Sequence, residues 1–115
     1  MNNTKESKHS IICGMTEKER SNIIDEITNL SKDCGQDLIL IGYGDEANAL
    51  AAAIVGYDTK TYAVCYDYDK LVEAMAEFND WSEEEAIEWI DYNTIRSLDY
   101  VDQATAPRII GKFSV

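Results

Sequence analysis

The chain holds a single histidine, His9, and three cysteines, Cys13, Cys34 and Cys65, none of them in a C-x-x-C pair. An odd cysteine count without that spacing indicates neither a disulfide framework nor a zinc site, and a reducing compartment suits it best. His9 lies in a polar segment and is read as solvated. Cys65, on an expected strand, has no histidine base to activate it and is read as a small core residue. Long apolar runs are missing as well. No stretch approaches the roughly 18 residues of a membrane-spanning helix, and MNNTKESKHSIICGM lacks an apolar run of signal-peptide length. The expectation is a cytoplasmic protein, neither exported nor embedded.

Basic residues are the third scarcity. Ten Lys and Arg stand against 22 Asp and Glu, a net charge of −12. Residues 58 to 102 carry 13 of the acids and only Lys60, Lys70 and Arg96, so that segment alone is −10. A phosphate backbone would be repelled, which disfavours direct nucleic-acid binding; a basic partner is the natural inference. The plainer reading is that acidity keeps a small protein in solution.

What is present is enough for one domain spanning residues 1 to 115. A chain of this length buries about two thirds of the surface its unfolded form exposes, and 45% hydrophobic content argues against disorder. Residues 1 to 10 read as a frayed tail and residues 11 to 35 as a helical element. Thr16 with Glu19 makes a capping box and Gly35 a C-terminal stop, with Ile23, Ile24, Ile27 and Leu30 as an apolar stripe and Glu17, Arg20, Asp25 and Lys32 left to solvent. DLILIGY, residues 37 to 43, reads as a buried strand. Residues 47 to 57 are ambiguous between helix and strand, with at least 53 to 57 and 61 to 66 forming a hairpin. Asp67 or Asp69 caps a helix over residues 70 to 78, Ser82 with Glu85 caps another from residue 83, and residues 108 to 113 follow Pro107 as a last strand. The fold class is α+β: a small antiparallel sheet of three to four strands packed against about three helices.

The helix opened by SEEEAIEWIDYNTIRSL carries the most information. At about 100° per residue, Ala86, Ile87, Ile90, Thr94 and Leu98 share one side and read as core. Trp89, Tyr92, Asn93 and Arg96 gather on another side, flanked by Glu85 and Glu88; Trp, Tyr and Arg are the residue types that dominate binding hot spots. The alternative, favoured by how often tryptophan is buried in small domains, packs Trp89 and Asn93 against the sheet or the first helix.

Signals for chemistry are weak. Asp67 and Asp69 alternate at a strand end, where both carboxylates could hold a divalent cation, although capping accounts for at least one of them. Gly42, Gly44 and Ala47 match a G-x-G-x-x-G/A dinucleotide fingerprint after DLILI, but Asp45 and Glu46 would set negative charge where a pyrophosphate sits. No catalytic constellation emerges and no cofactor is expected.

Residues 50 to 110, from Ile54-Val55-Gly56-Tyr57-Asp58 through Tyr66-Asp67-Tyr68-Asp69-Lys70 and Glu84-Glu85-Ala86 to Tyr92-Asn93 and Ala106-Pro107, resemble a family of small uncharacterised proteins common in bacteriophage and mobile-element genomes. The family has no assigned activity, and a glycine often precedes its second helix where Asp80-Trp81 stands here. The resemblance implies a viral or mobile setting. Joined to the charge, it leads to a non-enzymatic inhibitor of the anti-CRISPR or antirestriction kind, whose acidic face occupies a basic, nucleic-acid-handling host protein. Asp67, Asp69, Glu73, Glu77, Glu83, Glu84, Glu88 and Asp91 would form the mimic, with Trp89, Tyr92 and Arg96 as anchors. The alternatives are a homodimeric interaction module using the aromatic helix face, and a small metal- or nucleotide-binding enzyme.

Overall fold

The structure is a computed structural model that describes residues 10 to 113. Most of the tail expected over residues 1 to 10, His9 included, lies outside the described residues. The chain begins with a hairpin of β1 (Ile11–Ile12) and β2 (Met15–Thr16), registered Ile11 to Thr16 and Ile12 to Met15. Its two-residue turn, Cys13 at φ +51° and Gly14 at φ +77°, is of the primed kind whose twist matches the strands. A cysteine in the left-handed region is uncommon, so Cys-Gly is no standard hairpin signal, and residues 11 to 16 are not the helix expected there.

α1 (Glu17–Cys34) starts and stops where its caps indicate. Thr16 Oγ1 accepts from Glu19 N at 3.1 Å, Glu19 Oε1 accepts from Thr16 N at 2.9 Å, and Gly35 closes the end at φ +73°. One residue departs from the amphipathic reading: Arg20, assigned to solvent, is 1% exposed and is the one buried residue of α1. Its Nη1 donates to the carbonyl of Met15 at 2.6 Å and its Nε to Asn48 Oδ1 at 3.1 Å, while Asn48 Nδ2 donates to Ser21 Oγ. The guanidinium fork satisfies hairpin and helix groups at once, which is why it is tolerated inside. Burial pulls it below its ordinary pKa, against the opposing effect of Glu17.

Residues 37 to 43 form no strand. Two of their donors are met by side chains, Leu38 N by Ser31 Oγ at 3.1 Å and Ile41 N by the Tyr66 hydroxyl at 3.0 Å, and not by a neighbouring strand. The ambiguous stretch resolves into α2 (Asp45–Leu50), a 3₁₀ turn at Ala51–Ala53 and β3 (Ile54–Tyr57). The glycine fingerprint therefore lacks its strand. A side chain at Gly42 would stand 3.0 Å from Glu46 Oε1, so an anion already folds over the turn where a phosphate would have to approach.

β3 pairs antiparallel with β4 (Val64–Asp67) through the expected hairpin, with a bulge between Ile54 and Gly56. Asp58 closes its turn, accepting from Lys60 N and Thr61 N at 2.7 and 3.1 Å, and these donors hold its carboxyl below the ordinary range. α3 (Tyr68–Asn79) and α4 (Glu83–Trp89) follow. β5 (Arg108–Ile110) returns alongside β4, giving the order β3-β4-β5. Because the chain crosses through helices before it returns, β5 runs parallel to β4, with Tyr66 opposite Ile109. It stops three residues short of the expected end, and Phe113 is 96% exposed. The α+β architecture thus holds, with a mostly antiparallel arrangement and one parallel pair. The core lies between β4, α3, α4, α2 and the hairpin, around Ile12, Leu50, Tyr66, Leu71, Met75 and Ile90.

Candidate functional site

α4 is placed by its cap. Ser82 Oγ accepts from Glu85 N at 3.1 Å and Glu85 Oε1 accepts from Ser82 N at 2.9 Å, and three glutamates in the first turn suit the positive helix end. Beyond Trp89 the helix continues through a π-helical segment, Ile90–Thr94, closed by Ile95 N donating to Ile90 O, and a short turn at Ile95–Ser97. The wider winding has a packing cause. Ala86, Ile90 and Thr94 are all buried and spaced by four, and in an α-helix each such step drifts about 40° past a full turn. The π segment takes up that drift and keeps the stripe against the core.

The opposite side faces outward. Trp89 is 45% and Tyr92 62% exposed, and Asn93 and Arg96 are exposed too, so the inward-packing reading of Trp89 and Asn93 does not hold. The core stripe already fills the helix's inner side, which leaves these residues no interior to enter. Trp81 joins them. Its ring centroid lies 5.6 Å from that of Trp89 at a tilt of 52°, and the Arg96 guanidinium stands 5.6 Å from the centroid of Tyr92. Trp81, Glu85, Glu88, Trp89, Tyr92 and Asn93 line a shallow hollow of about 480 Å³. Aromatic faces beside carboxylates are a setting for cations, and Arg96 already uses one of them.

The acids divide. Asp69, Glu73, Glu77 and Glu83 line a second hollow, between α3 and α4, of about 450 Å³. Glu84, Glu88 and Asp91 are exposed on α4 and its continuation, and Asp91 accepts from the Tyr68 hydroxyl at 3.1 Å. Burial first, then Asp91, pushes the Tyr68 phenol up. Asp67 must be removed from the face. It is 3% exposed, its Oδ2 caps α3 by accepting from Lys70 N at 2.9 Å, and Lys112 Nζ stands 3.7 Å from Oδ1, an ion pair too long for a hydrogen bond. Its Oδ2 serves as a buried cap and its Oδ1 has no hydrogen-bond partner, whereas Asp69 is exposed.

A different set of donors does converge. Cys13 Sγ and carboxylate oxygens of Glu73 and Glu77 lie within 4.8 Å of one another, the one such group among the described residues. Cys13 N donates to Glu77 Oε1 at 3.2 Å, tying the hairpin turn to α3. Burial, reinforced by Glu73 and Glu77, pushes the Cys13 thiol up to about 12, so it is protonated and a poor nucleophile at neutral pH. Glu77 is raised too, by burial and by Glu73. The Glu73 and Glu77 spacing of four was readable from sequence. Cys13, some sixty residues away, was not, and Trp81 had a signal only as a residue preceding a helix cap.

No family model matches the chain, and neither does any curated protein or solved structure. No helix among the described residues is long and apolar enough to cross a membrane.

Proposed function

We propose that this chain is a non-enzymatic, acidic protein-binding protein that sets the outer face of α4 against a basic, nucleic-acid-handling surface of a host protein, as an inhibitor of the anti-CRISPR or antirestriction kind would. The observation that carries the reading is the exposure of Trp89 and Tyr92 between Glu85, Glu88 and Asp91 on a capped helix. Exposed aromatics gathered into one patch mark interaction surfaces, and they supply contact area at low entropic cost. The acids serve encounter and register: a segment of net −10 steers toward positive charge and repels nucleic acid. Asp69, Glu73, Glu77 and Glu83 extend the charge onto the neighbouring hollow, and Asp67 has no part in it.

The test is capture from nuclease-treated lysate by wild type, by Trp89→Ala, and by a variant with Glu83, Glu84 and Glu88 changed to Gln and Asp91 to Asn. A nucleic-acid-handling protein held by wild type, released by moderate salt and bound about tenfold or more weakly by both variants is the expected result. Equal capture by all three, or indifference to salt, removes the reading. A homodimer through the same face would oppose Glu88 and Asp91 to their own copies. A mass that doubles with concentration in wild type and not in Trp89→Ala would favour it instead.

A further inference from the structure

Between α1 and β3 runs an open groove of about 450 Å³ that shares no residue with either acidic hollow. One wall is the apolar stripe of α1, where Ile23, Ile27 and Leu30 are only half-buried. The other is β3, which ends the sheet: β4 occupies one of its edges and no strand among the described residues occupies the other. Val55 and Tyr57 on this strand are 42% and 51% exposed.

Proteins guard such edges with lysine, proline, a bulge or a covering element, because unpaired N–H and C=O groups are a template for another strand. The sequence of β3, Ile-Val-Gly-Tyr, holds no charge and no proline; its guard is the bulge between Ile54 and Gly56, and a side chain built at Gly56 would meet nothing within 4 Å. The groove lining contains two acids, Glu26 and Asp33, and no cation.

We infer that this groove is a docking site for an extended, basic peptide segment of a partner, which adds to β3 as a further strand. Four residues of added strand span about 13 Å and match the length of β3. Main-chain hydrogen bonds to the free edge would supply affinity. Side chains alternate, so every second apolar residue meets Ile23, Ile27 and Leu30, while flanking lysine or arginine meets Glu26 and Asp33. A second copy is the poorer occupant, since pairing β3 with its own image would bring those carboxylates, and two chains of −12, together. The site does not depend on the aromatic face of α4.

The experiment selects a displayed library of random ten-residue peptides on the full chain, then measures the enriched peptides on three variants. Val55→Lys guards the edge, Leu30→Lys alters only the opposite wall, and Trp89→Ala disables the α4 face. Enriched peptides should alternate apolar residues between basic flanks, weaken at least tenfold on Val55→Lys and on Leu30→Lys, and bind Trp89→Ala as they bind wild type. No enrichment, acidic flanks, or unchanged binding to both groove variants overturns the proposal. So does a wild-type dimer that Val55→Lys converts to monomer, which would assign the edge to a second copy. Failure of wild type to capture any host protein, with peptide selection intact, would defeat the α4 reading alone.

Discussion

α1 and α3 are the two longest uninterrupted α-helices, and they are held by different physics. α3 is a 12-residue helix that buries Leu71, Val72, Ala74 and Met75, so it is anchored along its length by apolar area. α1 has 18 residues and buries only Arg20, so it is held at its N-terminal end by a polar clamp onto Met15 and Asn48. Burial of each large apolar side chain contributes about 1.5–3 kcal/mol wherever it occurs. A buried guanidinium contributes only while its partners are in place. The contrast teaches that an apolar stripe with a strong capping box need not be core. The stripe of α1 is left half open, and no element among the described residues closes over the groove beside β3.

The comparison breaks first at Arg20. Arg20→Ala should cost about 3–5 kcal/mol, because it leaves Asn48 Oδ1 and the Met15 carbonyl without their donor in the interior. Urea denaturation measures it, and a loss under about 1 kcal/mol would mean that α1 is held by its stripe after all. Leu71→Ala in α3 should cost about 2–5 kcal/mol through its cavity alone.

Tyr66 sharpens the apolar side of the comparison. It is fully buried on β4, and burial pushes its phenol up to about 12 despite the hydrogen bond from Ile41 N. The folded state therefore holds this proton more tightly than the unfolded chain. Its contribution is complete below the ordinary value near 10 and is lost as pH rises from there toward 12. Tyr66→Phe should cost about 1–3 kcal/mol at neutral pH by orphaning Ile41 N, and should flatten the fall in urea midpoint between those two values. A slope equal to that of wild type would contradict the assignment. The smallest effect is expected at Leu30→Lys. If the stripe of α1 is open, the melt should shift by under about 1 kcal/mol, whereas a loss the size of Leu71→Ala would show that the groove is closed.

The caps were legible in the sequence because capping is local: Thr16 with Glu19 and Ser82 with Glu85 sit three residues apart, and each closes as its spacing requires. The exposed Trp89, Tyr92 and Arg96 side could be drawn from helical periodicity, but its exposure could not. Periodicity says which residues share a side, and only the buried stripe of Ala86, Ile90 and Thr94 says which side faces in. The DLILI run failed as a strand for the same reason. High β propensity needs a partner edge, and Ser31 and the Tyr66 hydroxyl take two of the run's donors instead.

Composition and local pattern by themselves determined the acidity, the α+β class, the capped starts of α1 and α4 and the β3-β4 hairpin, since each depends on residues within a few positions of one another. Tertiary structure decided the rest: Arg20 inside and not out, Asp67 consumed as a buried cap, Cys13 brought to Glu73 and Glu77, and β3 left with an open edge. Each of these turns on a contact between residues distant in sequence, or on the absence of a covering element, and neither leaves a periodic trace in the chain.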